Sequence, residues 1–397
     1  MIENILLILL LLLLSAKVIG SIFEKFGLDS AVGEILTGII FGSSFLNLIS
    51  PESIKSFAII GSVLILFIAG IKQQNIKEIY KDKLAISLGI SLLIITLVIM
   101  TLFFYFIPQY FGIKFTLIQS LVLGLAFSIV DVGLPAKILI SKDLINTHIG
   151  RVTIRSAIIN ILMGLFLFTL ITTTMHLSLS EILIKLLGIF GFFISAFILL
   201  YSLSKISKFI TRIPIEEAEF SLAFVLILAL AYFTEVIGFS SILGAFIAGV
   251  LIAKMPFSET MSFSYKIKSL SFGLFIPLFF VWFGLEINLG EIWKNIILAL
   301  LIFFTYITIR FTVTYTYMKK NKLKMPNLIS SSMLSVDVES LVILMIALQL
   351  GIFITNIPLT LFAPSVLFST LLIVILVSIF SKKEKNTFTK IKSQRAK

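Results

Sequence analysis

Apolar runs separated by short polar, lysine-bearing stretches repeat along the whole chain. Thirteen runs can be read, with cores near 4–22, 31–49, 56–71, 85–108, 115–140, 152–174, 181–203, 220–236, 239–254, 270–286, 291–317, 326–350 and 356–380. Most come close to the roughly 20 residues that a helix needs to cross a bilayer. In hydrocarbon the backbone must satisfy its own hydrogen bonds, so these runs are expected to be helices. The run at 239–254 is short, and the join at 236–240 leaves open a break within one longer element. The first run carries Glu3 and has no basic residue ahead of its leucines, which predicts a retained helix rather than a signal peptide.

Composition turns this pattern into a class. The chain is 59% hydrophobic and 13% charged, with a mean hydropathy of +1.14. Soluble domains carry about 25% charged residues. The expectation is an all-α membrane protein of about 13 transmembrane helices, one transmembrane domain over 1–380 followed by a short, basic, disordered tail at 381–397. Thirteen spans place the termini on opposite sides. Of the 32 Lys and Arg residues, Lys55, Lys114, Lys185 and Lys294 fall on one side, and Lys17, Lys137, Arg155 and Arg310 fall inside runs. All the others fall on the side of the C-terminus. Basic loops mark the cytoplasmic face, so the N-terminus is expected outside and the C-terminus in the cytoplasm of a cell membrane, with membrane lipid as surroundings.

The net charge of +12 is then mostly topology and gives no reason to expect nucleic acid. The chain has no cysteine, which excludes disulfide and thiol chemistry. His148 and His176 lie far apart in sequence near run ends and suggest no metal site. No glycine-rich phosphate loop stands between a strand and a helix, and the tail is too short for a nucleotide-binding domain. ATP-driven transport, cofactor chemistry and enzymatic catalysis are not expected.

Two runs carry the same short signature around an acid: Ser128-Ile129-Val130-Asp131-Val132 and Leu334-Ser335-Val336-Asp337-Val338. A carboxylate deep in such a run costs about 2.5–3.5 kcal/mol on insertion scales, so it usually faces a cavity and has a function. One signature falls in each half of the chain, as in transporters built from two related halves around a central site. Gly133 and Pro135 follow Asp131 and favour a break in that helix. The later run has no Gly or Pro near Asp337.

Four segments resemble the monovalent cation:proton antiporters of the Kef-like and NapA-like branch. They are Val32-Gly33-Glu34-Ile35-Leu36-Thr37-Gly38-Ile39-Ile40-Phe41-Gly42, Leu66-Phe67-Ile68-Ala69-Gly70, Leu243-Gly244-Ala245-Phe246-Ile247-Ala248-Gly249 and Pro277-Leu278-Phe279-Phe280-Val281-Trp282-Phe283-Gly284-Leu285. Their order and spacing agree from about residue 25 to 380. The resemblance implies an inverted-repeat antiporter fold with crossed, broken helices 5 and 12, the runs that hold Asp131 and Asp337. It implies secondary exchange of Na⁺ or K⁺ for protons by alternating access, and a homodimer.

The resemblance also assigns roles. Asp131 is the expected ion and proton carrier, since a desolvated carboxylate can alternate between the two. Asn160 matches the first member of the family's sixth-helix Asn-Asp or Asp-Asp pair, but Ile161 stands where the second acid belongs. Asp337 stands where Kef-like members have Arg, and Glu339 matches their Glu. An acid lost at Ile161 and gained at Asp337 reads as a relocated carboxylate. Asp337 and Glu339 point about 200° apart on a regular helix, so only a local break would bring them together. Arg310 matches a family Lys or Arg. It lies about two turns inside Lys319 and is expected to be buried as a fixed countercharge. Lys137 and Arg155 are further charge-compensation candidates that also have snorkelling readings. Glu34 and Glu235 are read as helix-end features. Lys17, inside the first run, has no explanation in the sequence.

The missing acid leaves other readings open: a related carrier of another solute, or a non-transporting membrane sensor. An intramembrane aspartyl protease would use two membrane Asp residues. Here, however, the acids sit in Val-Asp-Val, and Pro135-Ala136 lies beside the first Asp instead of later in the chain.

Overall fold

The structure is a computed structural model. It describes residues 4–25, 30–71, 81–130, 132, 135–136, 138–139, 142, 144–145, 147–174, 218–236, 241–253, 255, 261–336 and 338–383. Every regular element among these residues is a helix. Helices within 5–25, 51–71, 83–111, 148–172, 265–286 and 296–320 are long and apolar enough to cross a membrane, and shorter apolar helices accompany them. Residues 381–383, expected to be disordered, continue the last helix. The run at 181–203 and the tail from 384 lie outside the described residues. So does the join at 237–240, on either side of which the chain forms separate helices.

The chain divides into two compact units. One comprises Met1–Ser21, Gly33–Ile76 and Leu165–Glu286; the other comprises Ile22–Val32, Lys77–Gly164 and Ile287–Lys397. The first unit contains α1 (Ile5–Lys25) as far as Ser21, α2 (Ser30–Phe41) from Gly33, and α3 (Lys55–Ile71). The second contains α4 (Lys83–Phe106), α5 (Leu117–Ser128) and α6 (His148–Thr174) up to Gly164. The first unit resumes with α7 (Ala218–Val236), α8 (Ser241–Ile252), α9 (Met261–Leu270), a π-helical turn at Ser271–Phe275 and α10 (Ile276–Glu286). The second ends with α11 (Leu289–Lys294), α12 (Ile296–Lys320), α13 (Pro326–Ser332), α14 (Val338–Gln349) and α15 (Ile357–Lys383).

In the first unit the glycine motifs pack against one another in pairs. A Cβ on Gly38 of α2 would lie 2.1 Å from the Val281 carbonyl oxygen of α10. One on Gly284 of α10 would lie 2.1 Å from the Ile35 carbonyl. The same reciprocity joins α3 to α8: a Cβ on Gly70 would meet the Phe246 carbonyl at 2.2 Å, and one on Gly249 the Phe67 carbonyl at 2.2 Å. Apolar side chains gain little by leaving lipid for protein, so close backbone approach at small residues is what holds membrane helices together.

Lys17 acquires its explanation here. Its Nζ donates to the Phe272 carbonyl at 2.6 Å, within the π-turn, and lies 4.0 Å from Oε1 of buried Glu34. A charge inside an apolar helix thus ties α1 to α2 and to the π-turn.

The second unit is built around broken helices. Asp82 caps α4, its Oδ1 accepting from the Ala85 backbone at 3.1 Å. A capping box formed by Thr116 and Gln119 starts α5, and the Gln119 amide donates to the Ile352 carbonyl at 2.8 Å. Phe127, near the end of α5, packs its ring 5.2 Å from Tyr306 of α12 and 4.7 Å from Phe362 of α15.

Two helices end earlier than the apolar runs. In the run at 31–49, α2 stops at Phe41 and the chain folds back, with Leu46 N–H donating to the Ile40 carbonyl and Asn47 in a left-handed conformation. In the run at 115–140, α5 stops at Ser128, ahead of the Gly and Pro expected to break it. Pro135 instead lies in a short helical stretch beyond the break, where its fixed φ and missing N–H suit a first turn.

A Gly38→Val variant should fold poorly or lose about 2 kcal/mol or more in thermal unfolding in detergent, because the backbone of α10 cannot yield. Gly273→Ala, whose added methyl meets open space, should be close to neutral.

Candidate functional site

Both breaks lie in the second unit, and the two halves of the chain contribute one each. After α5, Ile129 adopts an extended conformation with φ −78° and ψ 131°. After α13, the stretch at 333–336 leaves the helix before α14 begins at Val338. This second break has no Gly or Pro. Three serines precede it, and the hydroxyls of Ser330, Ser331 and Ser332 donate back to the carbonyls of Pro326, Asn327 and Ile329. Such side-chain bonds compete with the helical ladder and weaken it locally.

Each break exposes carbonyls that need donors, because an unpaired buried carbonyl costs about 1–3 kcal/mol. Asn160 of α6 supplies the first set. It is fully buried; its Oδ1 accepts from the Val130 N–H at 2.9 Å, and its Nδ2 donates to the Ser128 carbonyl at 3.1 Å. One side-chain amide thereby pairs with the last residue of α5 and with Val130 beyond it, as a neighbouring strand would.

Arg310 of α12 supplies the second set, and it serves both breaks. It is among the largest fully buried side chains. Its Nη1 donates to the Ser335 carbonyl at 2.6 Å and the Leu334 carbonyl at 3.2 Å, and its Nη2 donates to the Ile129 carbonyl. Ile129 and Ser335 each stand two residues ahead of the signature Asp, so the guanidinium grips equivalent carbonyls in the two halves. It also lies 5.8 Å from the centre of the Tyr306 ring, one turn away. Helix C-terminal ends carry partial negative charge, and here two of them converge on a cation that stays protonated. The burial expected for Arg310 is met, and the backbone role it takes had no signal in the sequence.

The structure places the remaining candidates unevenly. Asp131, Lys137 and Asp337 lie outside the described residues. Glu339 belongs to the first turn of α14, with its side chain outside the described set. A local break was expected as the only way to bring Asp337 and Glu339 together; the described residues 333–336 are not helical and α14 begins at Val338. Ile161 is buried beside Asn160. Arg155 does not simply snorkel: its Nη1 bonds Oδ2 of Asp82 at 3.1 Å. The side chain of Glu235 also lies outside the described residues.

Three buried hydroxyls near the second break were not anticipated. Ser335 Oγ, Ser340 Oγ and Thr314 Oγ1, one turn beyond Arg310, have no hydrogen-bond partner among the described residues. Serines recurring inside an apolar run were the available signal. Hydroxyl and carbonyl oxygens suit a hard monovalent cation, and no group of three or more His, Cys, Asp or Glu side chains that could hold a metal ion occurs among the described residues.

Comparison with known proteins bears on the whole chain. The profile described as sodium/hydrogen exchanger, transmembrane, matches residues 8–383. A probable Na⁺/H⁺ antiporter of Bacillus cereus, GerT, is 27% identical over 311 residues, covering 75% of this chain and 79% of that protein. An Na⁺/H⁺ antiporter of Enterococcus hirae is 24% identical, covering 94% and 98%. The solved structure of the sodium proton antiporter MjNhaP1 from Methanocaldococcus jannaschii matches with a TM-score of 0.67 at 19% identity, over 97% of each chain. The antiporter fold expected from the sequence is therefore the fold observed.

Replacing Arg310 with Met should cost about 3 kcal/mol or more, because three buried carbonyls lose a charged donor. Arg310→Lys should fall between Met and wild type, since an ammonium cannot reproduce the planar fork. Thermal unfolding in detergent would rank the three; equal stability of Met and wild type would refute the clamp.

Proposed function

The chain belongs to the sodium/hydrogen exchanger transmembrane family, and from that premise we propose that it exchanges a monovalent cation, Na⁺ or K⁺, for protons by alternating access. The observation that carries the reading is the buried Arg310 guanidinium bonded to carbonyls of both broken segments. The carbonyls it holds at Ile129 and Ser335 belong to residues two positions ahead of Asp131 and Asp337 in sequence, which supports a role for fixed positive charge at the site.

In this reading Asp131 binds a proton or a cation but not both, and that competition couples the two fluxes. Asp337 replaces the acid that Ile161 removes, with Glu339 close to it in sequence. The buried hydroxyls of Ser335, Ser340 and Thr314, which have no hydrogen-bond partner among the described residues, offer neutral oxygens to a partly dehydrated cation. Arg310 does not titrate in the working range, so it balances carboxylate charge without carrying protons. Asn160 keeps the first break open and is uncharged, which fits an exchange that moves one charge each way. Lys137 is assigned to charge compensation, and Arg155 does this for Asp82.

Alternating access requires the unit holding the breaks to expose its site on either side in turn. We assign the N-terminus to the outside and the C-terminus to the cytoplasm from the lysine distribution. A homodimer in a lipid bilayer is the assembly that family membership favours.

Proteoliposomes with an imposed pH gradient and an interior pH dye test this directly. Addition of Na⁺ or K⁺ should collapse the gradient in wild type, and Asp131→Asn should abolish the response. If Asp337→Asn also abolishes it while the protein stays folded, the relocated carboxylate stands. If Asp337→Asn leaves it intact, Asp337 has no carrier role. No response of folded wild type to Na⁺, K⁺ or Li⁺ would overturn cation:proton exchange.

A further inference from the structure

We propose that the lysine-rich end of the second unit is a docking surface for anionic phospholipid headgroups. The surface is built from the turn between α12 and α13 and the start of α4. Lys319, Lys320, Lys322 and Lys324 are all exposed, as are Lys81 and Lys83. The Tyr317 hydroxyl donates to the Leu84 carbonyl at 3.0 Å, which brings the two stretches side by side. Asp82 is the one carboxylate among the described residues of these stretches, and it is already committed to Arg155 and to capping α4.

The turn holds its lysines in place. Leu323, between Lys322 and Lys324, packs against two buried clusters, and Met325 is buried in one of them. The Leu323 N–H donates to the Met318 carbonyl at 2.9 Å. Lys322 and Met325 both have left-handed backbones, with φ of 52° and 59°, a conformation that costs non-glycine residues energy. Apolar residues turned inward and cations turned outward thus alternate along a fixed loop.

Depth identifies the partner. The lysines end an apolar helix of 25 residues whose last turns carry Tyr315 and Tyr317. Tyrosines in this position mark the headgroup layer, and Lys319 sits 5.3 Å from the Tyr315 ring centre. At that level the anions within reach are lipid phosphates, and clustered lysines beside a membrane helix attract acidic lipids. A soluble polyanion would meet the same charges without this depth, so the bilayer surface is the occupant the geometry favours.

The test uses the full chain purified in detergent, with native mass spectrometry and thermal unfolding in added phosphatidylglycerol or phosphatidylcholine. Wild type should retain phosphatidylglycerol over phosphatidylcholine on the order of tenfold. It should be stabilised by phosphatidylglycerol alone, and salt near 0.5 M should erase the effect. The K319Q/K320Q/K322Q/K324Q variant should lose most of the preference while unfolding like wild type in phosphatidylcholine; K81Q/K83Q serves as the second variant should the first fail to fold. Equal retention of the two lipids by wild type, or undiminished preference in a folded variant, would overturn the proposal. Equal stabilisation by inorganic phosphate would overturn the membrane surface in favour of a free anion. Neither readout requires transport, so the outcome is independent of the antiport reading.

Discussion

The second unit depends on a guanidinium that two broken helices share. A chain crossing hydrocarbon cannot leave carbonyls unpaired, so a break survives only where something else supplies donors. Arg310 supplies them to Ile129 in one half and to Leu334 and Ser335 in the other. Charge and geometry reinforce each other there. The cation is costly to bury, the helix ends are negative, and each makes the other tolerable. Asn160 completes the first break with a neutral amide at Ser128 and Val130, where the second break has the arginine at Leu334.

Much of this was legible in the amino-acid sequence, for definite reasons. Apolar runs report spanning helices because hydrocarbon imposes a length and a composition. The repeated signature around Asp131 and Asp337 was a true register: the carbonyls two residues ahead of each acid meet the same guanidinium. The resemblance motifs also had a mechanical meaning that the string of letters hides. Gly38 with Gly284, and Gly70 with Gly249, are paired contact points between helices that lie far apart in sequence.

What stayed hidden were long-range pairings and helix ends. The second break has neither Gly nor Pro, and it follows from serine side chains turned back on the helix and from an arginine 24 residues earlier. Gly133 and Pro135 signalled the first break, but not that α5 would end as early as Ser128 or that Pro135 itself would be helical. Lys17 was unexplained because its acceptor, the Phe272 carbonyl, is 255 residues away in a π-turn. Arg155 read equally well as a snorkelling side chain until Asp82 was found beside it. Hydropathy sees none of these, because each is one hydrogen bond between remote positions.

Hydrogen exchange at the two breaks tests the shared clamp most directly. Peptides covering 125–132 and 330–340 would be followed by mass spectrometry in wild type and Arg310→Met, with peptides from α3 and α8 as internal reference. A clamp serving both halves predicts that exchange accelerates in both break peptides together while the reference peptides are unchanged. Acceleration in one break alone, or in neither, would contradict the account.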